Sequence, residues 1–270
     1  IPITSFFRVV VSVCPSLKEL FQARLYFCTR AIISDIHGNS LALEAVLSDI
    51  SRRGIDTVFN LGDSLYGPLD PLGTFKLLIE HDITHIMGNC DRIIFESLDD
   101  DSSSTVNYVK QSLTTEAINW LQQHPSSLTI DDIFLCHGTP NSDEVYLLEE
   151  MKKEGATLKS PKDIIDALEY VEQSVVLCGH SHIPRTVYLP NGKLIINSGS
   201  VGLPAYIDDL PVPHKMESGS PHANYTIIEK NSTNWLVDQI SVPYDWKKAA
   251  AMAELNQRQD WADALRIGRF

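Results

Sequence analysis

The chain has 270 residues, 43% of them hydrophobic, and a formal net charge of −13. That length and apolar share suit one large fold with a full core, and the negative field excludes a scaffold for long nucleic acid, whose phosphates it repels. Five cysteines (Cys14, Cys28, Cys90, Cys136 and Cys178) are odd in number and scattered, with no CxxC pair, which argues against a thiolate zinc site or redox motif and points to a reducing, cytoplasmic setting.

Residues 1–29 come first. Their apolar run from Phe6 to Val13 is broken by Arg8 and Ser12, far short of the ~20 residues that span a bilayer, and no cleavage site of a secretory signal is clear. We expect an extension without an assigned role, then a single domain over 30–270, with no membrane partner.

From Arg30 onward short β-branched runs alternate with helical periodicity, the pattern of an α/β architecture. The runs are AIIS (31–34), TVFNL (57–61), ITHIM (83–87), IFLC (133–136) and VVLC (175–178). Between the first two, Leu43, Val46, Leu47 and Ile50 fall on one helical face, with Asn39 placed to cap the start and Gly54 to end it. Asp163 to Gln173 repeats the helical stripe with Ile164, Leu168 and Val171. Further on, Leu189 to Lys193 reads as a hairpin turn between TVY and LIIN, and 225–228 and 235–240 read as strands. Asp99 to Ser104 and Pro211 to Pro221 read as surface loops.

Each of the five early runs ends in a side chain able to ligate a metal. Asp35 and His37 follow the first, Asp63 the second, Asn89 the third, His137 the fourth, and His180 and His182 the fifth. Singly, an Asp or Asn there is a turn or cap residue and a His is a satisfied one. Jointly, the carboxyl ends of strands in an open α/β sheet converge on one crevice, which would collect all seven. Gly38, Gly62, Gly88, Gly138 and Gly179 stand within a residue of these positions, where a missing side chain permits close backbone approach. Seven donors exceed what one ion takes, so two divalent ions are expected, and mixed oxygen and imidazole donors suit Mn, Fe, Zn or Ni, of which we favour Mn. Paired ions of this kind serve hydrolytic displacement at phosphorus.

Taken together, DIH (35–37), GD (62–63), GNCD (88–91), HG (137–138) and GHSH (179–182) resemble the calcineurin-like metallophosphoesterase superfamily. The strings SDIHGNSLALEAVL, LGDSLYGPLDP, GHSHIP and NSGSVGLP are similar to its prokaryotic phosphodiesterase-like branch, which includes relatives of diadenosine tetraphosphatase. The resemblance implies a four-layer α/β/β/α sandwich of two mixed sheets. It also implies that Asp35, His37 and His182 hold one ion and Asn89, His137 and His180 the other, with Asp63 bridging. Attack on the phosphorus of a small phosphorylated substrate would come from a hydroxide between the ions, with Asn89 contacting the phosphate.

Two departures from that family's patterns stand out. Many members carry His where Cys90 stands, as the acid for the leaving group; here Cys90 either donates weakly or only fills the space beside Asn89, which favours leaving groups of low pKa. At the second motif Tyr66 replaces the supporting Asp of the protein Ser/Thr phosphatases and no Arg follows, which disfavours a protein substrate. Arg92 and Arg185 are candidates for substrate charge, and Tyr66, Asn39 and Ser200 for shaping the pocket. The alternative is a noncatalytic interaction module of the same fold with a vestigial metal site, and Cys90 is the feature that points to it.

Overall fold

The computed structural model describes residues 28–97, 104–152, 155–232 and 234–270. All but the end of the 1–29 extension, and most of the loop expected over 99–104, lie outside the described residues.

In chain order the first half runs β1 (Cys28–Ile33), α1 (Ser40–Arg52), β2 (Thr57–Asn60), α2 (Pro71–Ile79), β3 (Ile83–His85), α3 (Asn89–Glu96), α4 (Ser104–Ser112) and α5 (Thr115–Leu121). There follow β4 (Ser127–Ile130), β5 (Ile133–Cys136), β6 (Glu149–Lys152), β7 (Gly155–Leu158), α6 (Pro161–Ala167), β8 (Val175–Cys178), β9 (Arg185–Tyr188) and β10 (Leu194–Asn197). The last part is β11 (Ala205–Asp208), β12 (His214–Glu217), β13 (Ala223–Lys230), β14 (Trp235–Val242), α7 (Trp246–Leu255) and α8 (Gln259–Ile267).

Two five-stranded mixed sheets, ordered β14-β13-β1-β2-β3 and β4-β5-β8-β10-β9, face each other. The period-2 alternation of strands decides what lies where. Ile32, Phe59 and Ile228 of the first sheet meet Ile133, Leu135, Val175, Leu177 and Ile196 of the second in a core between them. The alternate residues Ala31, Ile33, Val58 and Ile227 point outward onto the apolar face of α1. On the other side Val176, Ile195, Cys136 and Cys178 pack against Ile164 of α6 and against Leu168. Strands covered on both faces read as continuous apolar runs, which is why AIIS and VVLC show no alternation in the sequence. The layers are those of the four-layer sandwich expected above. No helix of the described residues is long and apolar enough to cross a membrane.

Local chemistry sets the helix ends. Asn39 caps α1 by accepting from Ala42 N at 3.2 Å, and Asp70 caps α2 by accepting from Gly73 N at 3.0 Å, with Pro71 opening the first turn. Ser160 caps α6 in the same way.

Two expectations differ from the observed elements. The helix expected over 163–173 spans Pro161–Ala167 and then tightens into turns, with Leu168 N donating to Ile165 O and Val171 N to Leu168 O, both at 3.0 Å. The apolar stripe is buried as expected, but by a tighter coil. The loop expected over 211–221 contains β12, paired antiparallel with β11; His214 and Met216 alternate inward with Lys215 and Glu217 outward, a strand signal hidden among prolines.

Candidate metal centre

β1, β2 and β3 run parallel in one sheet, as do β5 and β8 in the other, so in each sheet the strands end on one side. The two rows of ends meet across the sandwich. His137 Nε2, after β5, lies 3.4 Å from Asp63 Oδ2, after β2. His182 Nε2, after β8, lies 3.3 Å from Asp35 Oδ1, after β1, and 3.1 Å from His37 Nε2. His137 Nε2 also lies 3.1 Å from Asn89 Oδ1, and the His180 ring stands 5.2 Å from that of His137. The ligating atoms of Asp35, His37 and His182, and those of Asp35, Asp63 and His137, each fall within 4.8 Å of one another. A third such group, His37, Asp63 and Cys90, brings the thiol to the edge of the cluster.

The backbone is bent to achieve this. Asp35, His37, Asp63, His180 and His182 have φ between 52° and 66°, a left-handed conformation that costs a non-glycine residue roughly 1 kcal/mol or more. Among the described residues only Asp131 and Gln257 are other non-glycines with positive φ, so strain concentrates on the candidate ligands. Glycine allows the close approach. A Cβ on Gly88 would lie 2.1 Å from Asp63 Oδ1, and one on Gly179 would lie 2.1 Å from Ser34 Oγ and 2.8 Å from Asp35 Oδ2.

The histidines are oriented from behind. His37 Nδ1 donates to Tyr66 O at 2.9 Å, His137 Nδ1 to Leu61 O at 2.8 Å, and His182 Nδ1 to Leu203 O at 2.6 Å. A carbonyl only accepts, so each Nδ1 carries a proton and each ring turns its Nε2 inward, with a lone pair free for a metal whenever that nitrogen is unprotonated. Two such lone pairs 3.1 Å apart on His37 and His182 repel unless a cation sits between them. Two imidazole nitrogens on one ion at about 2.1 Å stand roughly 3 to 3.4 Å apart, so the spacing fits a shared metal. Asp35 Oδ1, fully buried, has no hydrogen-bond partner, a costly state that a cation would relieve. The donor set fits a metal centre.

Residues 29–210 match the model of the calcineurin-like phosphoesterase superfamily domain. The chain belongs to that superfamily. It is 28% identical over 267 residues to an uncharacterized protein of Methanocaldococcus jannaschii, covering 88% of this chain and 98% of the relative. A crystal structure of a metallophosphoesterase from Sphaerobacter thermophilus superposes with a TM-score of 0.71 at 23% identity, covering 90% of this chain and 99% of that one. The matched span leaves out β13 and β14, which complete the first sheet, and the helix pair α7 and α8.

Charge in this candidate centre is unevenly held. Burial disfavours a proton on His37 and His180, and their imidazole neighbours His182 and His137 add to it, so both titrate at about 4. Burial also works against His137, but Asp63 and Asp35 outweigh it and raise that imidazole to about 10. Despite burial, Asp63 is held below the usual carboxylate range by His137, and Asp35 is held low by His182. Without a cation, one proton on His137 partly offsets two buried carboxylates. Burial, then Asp63, pushes the Cys90 thiol well above its ordinary value, so it stays protonated at neutral pH; Asn89 Nδ2 lies 3.7 Å from its Sγ.

The remaining candidates separate. Tyr66 lines the cavity over the ligands. Asn39 and Ser200 stand behind it: Asn39 Nδ2 donates to Gly202 O at 2.9 Å, and Ser200 Oγ donates to Asp35 O at 2.7 Å. Arg92 turns away to acids, pairing with Asp143, Glu144 and Glu96. Arg185 likewise pairs with the buried Glu149 at 2.8 Å. The cation lining the cavity is Arg258, beside Trp261 and Asp260.

Two contributions escaped the sequence reading. Asp91, buried, accepts from Ser64 N at 2.8 Å, Leu65 N at 3.3 Å and Gly88 N at 3.3 Å, tying the Asp63 loop to the Asn89 loop; its signal is its place at the third position of α3, where an acid reaches back to the helix start. Burial, then Asp63, raises its carboxyl to about 7. The wall formed by Tyr206, Arg258, Trp261 and Phe270 had no local signal.

Proposed function

We propose that the protein is a dinuclear-metal-dependent hydrolase of phosphoester bonds in small molecules or nucleotides. Asp35, His37 and His182 would hold one divalent ion, Asn89, His137 and His180 the other, and Asp63, which lies between His37 and His137, would serve both. The observation that carries this reading is the set of inward Nε2 atoms, each ring fixed from behind, facing the unpartnered Asp35 Oδ1. Bound there, paired ions supply Lewis acidity that activates water and neutralises phosphate oxygens.

The chain's own groups do the rest. Asp63 Oδ1 accepts from Cys90 N at 2.9 Å, which fixes the carboxylate and leaves Oδ2 toward the histidines. The Asn89 amide, held near His137, is placed to contact a phosphate oxygen. Cys90, neutral and half-buried, offers a thiol where a stronger acid would protonate a leaving alkoxide, so esters of acidic alcohols or phenols are the better substrates.

Turnover of bis-p-nitrophenyl phosphate by the purified chain with Mn²⁺ tests this. Asp63→Asn is expected to lower kcat/KM by about 10³-fold, several kcal/mol of lost charge stabilisation. Undiminished turnover in the variant would remove the mechanism, and metal-dependent turnover of the wild type would exclude a vestigial, noncatalytic site.

A further inference from the structure

Two cavities meet at the candidate ligands. One, of about 320 Å³, reaches from Asn89 and His180 to Tyr206, Trp261 and Phe270. The other, of about 680 Å³, reaches from the same Asn89 and His180 past Tyr146 to Val145, Met151 and Leu210. Both are of a size that holds small ligands. A phosphorus placed at Asn89 and His180 therefore has room for a substituent on each side. A phosphomonoester has one ester arm and would leave one cavity empty, whereas a diester fills both.

The linings say what the arms are. The smaller cavity is walled by aromatic side chains, of which Trp261 and Phe270 lie outside the matched family span and Tyr66 and Tyr206 inside it, and suits a planar, apolar arm. In the larger one Val145, Met151 and Leu210 mix with Glu144, Glu149, Glu150 and Asp208. Among the described residues, Arg258 is the one Lys or Arg lining the smaller cavity and Lys159 the one lining the larger. Arg258 Nη2 holds Asp260 Oδ2 at 2.6 Å and its guanidinium lies over the Trp261 ring at 5.4 Å; Lys159 Nζ donates to Tyr146 O at 2.5 Å. An arm carrying further phosphate would meet lining carboxylates that outnumber the cations.

We propose that the substrate is a small phosphodiester with one planar, apolar arm against Trp261 and Phe270 and one uncharged arm in the larger cavity, and that polyphosphate arms are excluded. This rests on the phosphoesterase reading above and adds its substrate class. Phe270 and Val145 are specificity-determining residues in this scheme.

The diester–monoester comparison holds the leaving group constant. With the Mn²⁺-loaded full chain, kcat/KM for thymidine 5′-(p-nitrophenyl phosphate) should exceed that for p-nitrophenyl phosphate by about tenfold or more, and should exceed that for diadenosine tetraphosphate by a similar factor. Val145→Trp, at a half-exposed position that narrows the larger cavity, and Phe270→Ala, at the last residue, should each lower the diester-to-monoester ratio about fivefold through KM. Equal or better monoester turnover, a preference for the tetraphosphate, or a ratio unmoved by both variants would overturn the proposal. Calorimetric titration with a phosphonate analogue of the thymidine diester, against phenylphosphonate, reads the same preference without turnover: tighter binding of the diester analogue supports it and equal binding overturns it. If no ester is hydrolysed, the phosphoesterase reading fails while this titration still decides the assignment of the cavities.

Discussion

The chain brings histidine rings together in two places, and they are built to opposite ends. In the candidate metal-ligand cluster the rings of His37 and His182 stand 4.9 Å apart; beneath Trp120 the rings of His85 and His124 stand 4.8 Å apart. The first pair faces Asp35 and Asp63, sits on strained backbone, and has each Nδ1 fixed by a carbonyl. In the second, the Asn60 amide donates to His85 Nδ1 at 3.1 Å, Trp120 packs edge-on to both rings, and burial followed by His124 lowers His85 to about 3. His85 is a neutral core residue, and His124 is half-buried against it. Proximity of imidazoles does not make a site; inward lone pairs with adjacent carboxylates do.

Substitution can break that contrast directly. His137→Ala should lower turnover of bis-p-nitrophenyl phosphate by about 10³-fold, whereas His124→Phe should change it by less than about threefold, since only the first removes a donor from the centre. Comparable losses in steady-state assays would mean that the second cluster also serves the chemistry.

Acid sharpens it next. In the unfolded chain His85 titrates near 6.5 and in the folded one at about 3, so the unfolded state binds the extra proton in between. The contribution of the neutral ring is complete above about pH 6.5 and declines as pH falls toward 3, by about 3 kcal/mol at pH 4. His37 and His180, at about 4, act in the same direction. Denaturant melts of metal-free protein should show the acid loss, and His85→Phe should flatten part of it; an unchanged slope in the variant would contradict neutral burial of His85.

Smaller effects probe the loops that separate a ligand cluster from a packed core. In Gly179→Ala the new Cβ would displace Ser34 and Asp35, and calorimetry should find metal affinity weakened about 10- to 100-fold. Asp91→Asn keeps an acceptor for Ser64 N but turns an amide toward Gly88 N, and a thermal melt should report a loss of about 1 to 2 kcal/mol.

The sequence pointed to the candidate ligands because each follows an apolar run, and parallel strand direction gathers such positions on one side. The α/β class was legible from the alternation of runs like AIIS and VVLC with helical periodicity, whereas the four-layer sandwich came only from the family resemblance. Side-chain pairing was not legible. Arg92 and Arg185 lie beside ligand motifs in the chain yet turn to Asp143 and Glu149, acids 51 residues later and 36 residues earlier. Nor could periodicity say what α8 covers: Trp261 and Leu265 mark an apolar face, but its contact with Leu69, Leu203 and Ala205, which brings Trp261 beside His37, is a tertiary fact.

Elemental analysis after dialysis against Mn²⁺, Fe²⁺, Zn²⁺ or Ni²⁺ reaches the centre of the account without depending on any substrate. Two ions per wild-type chain, falling to one or none in Asp63→Asn and unchanged in His85→Phe, is the expected result. A wild-type chain that retains no transition metal from any of these solutions would contradict it.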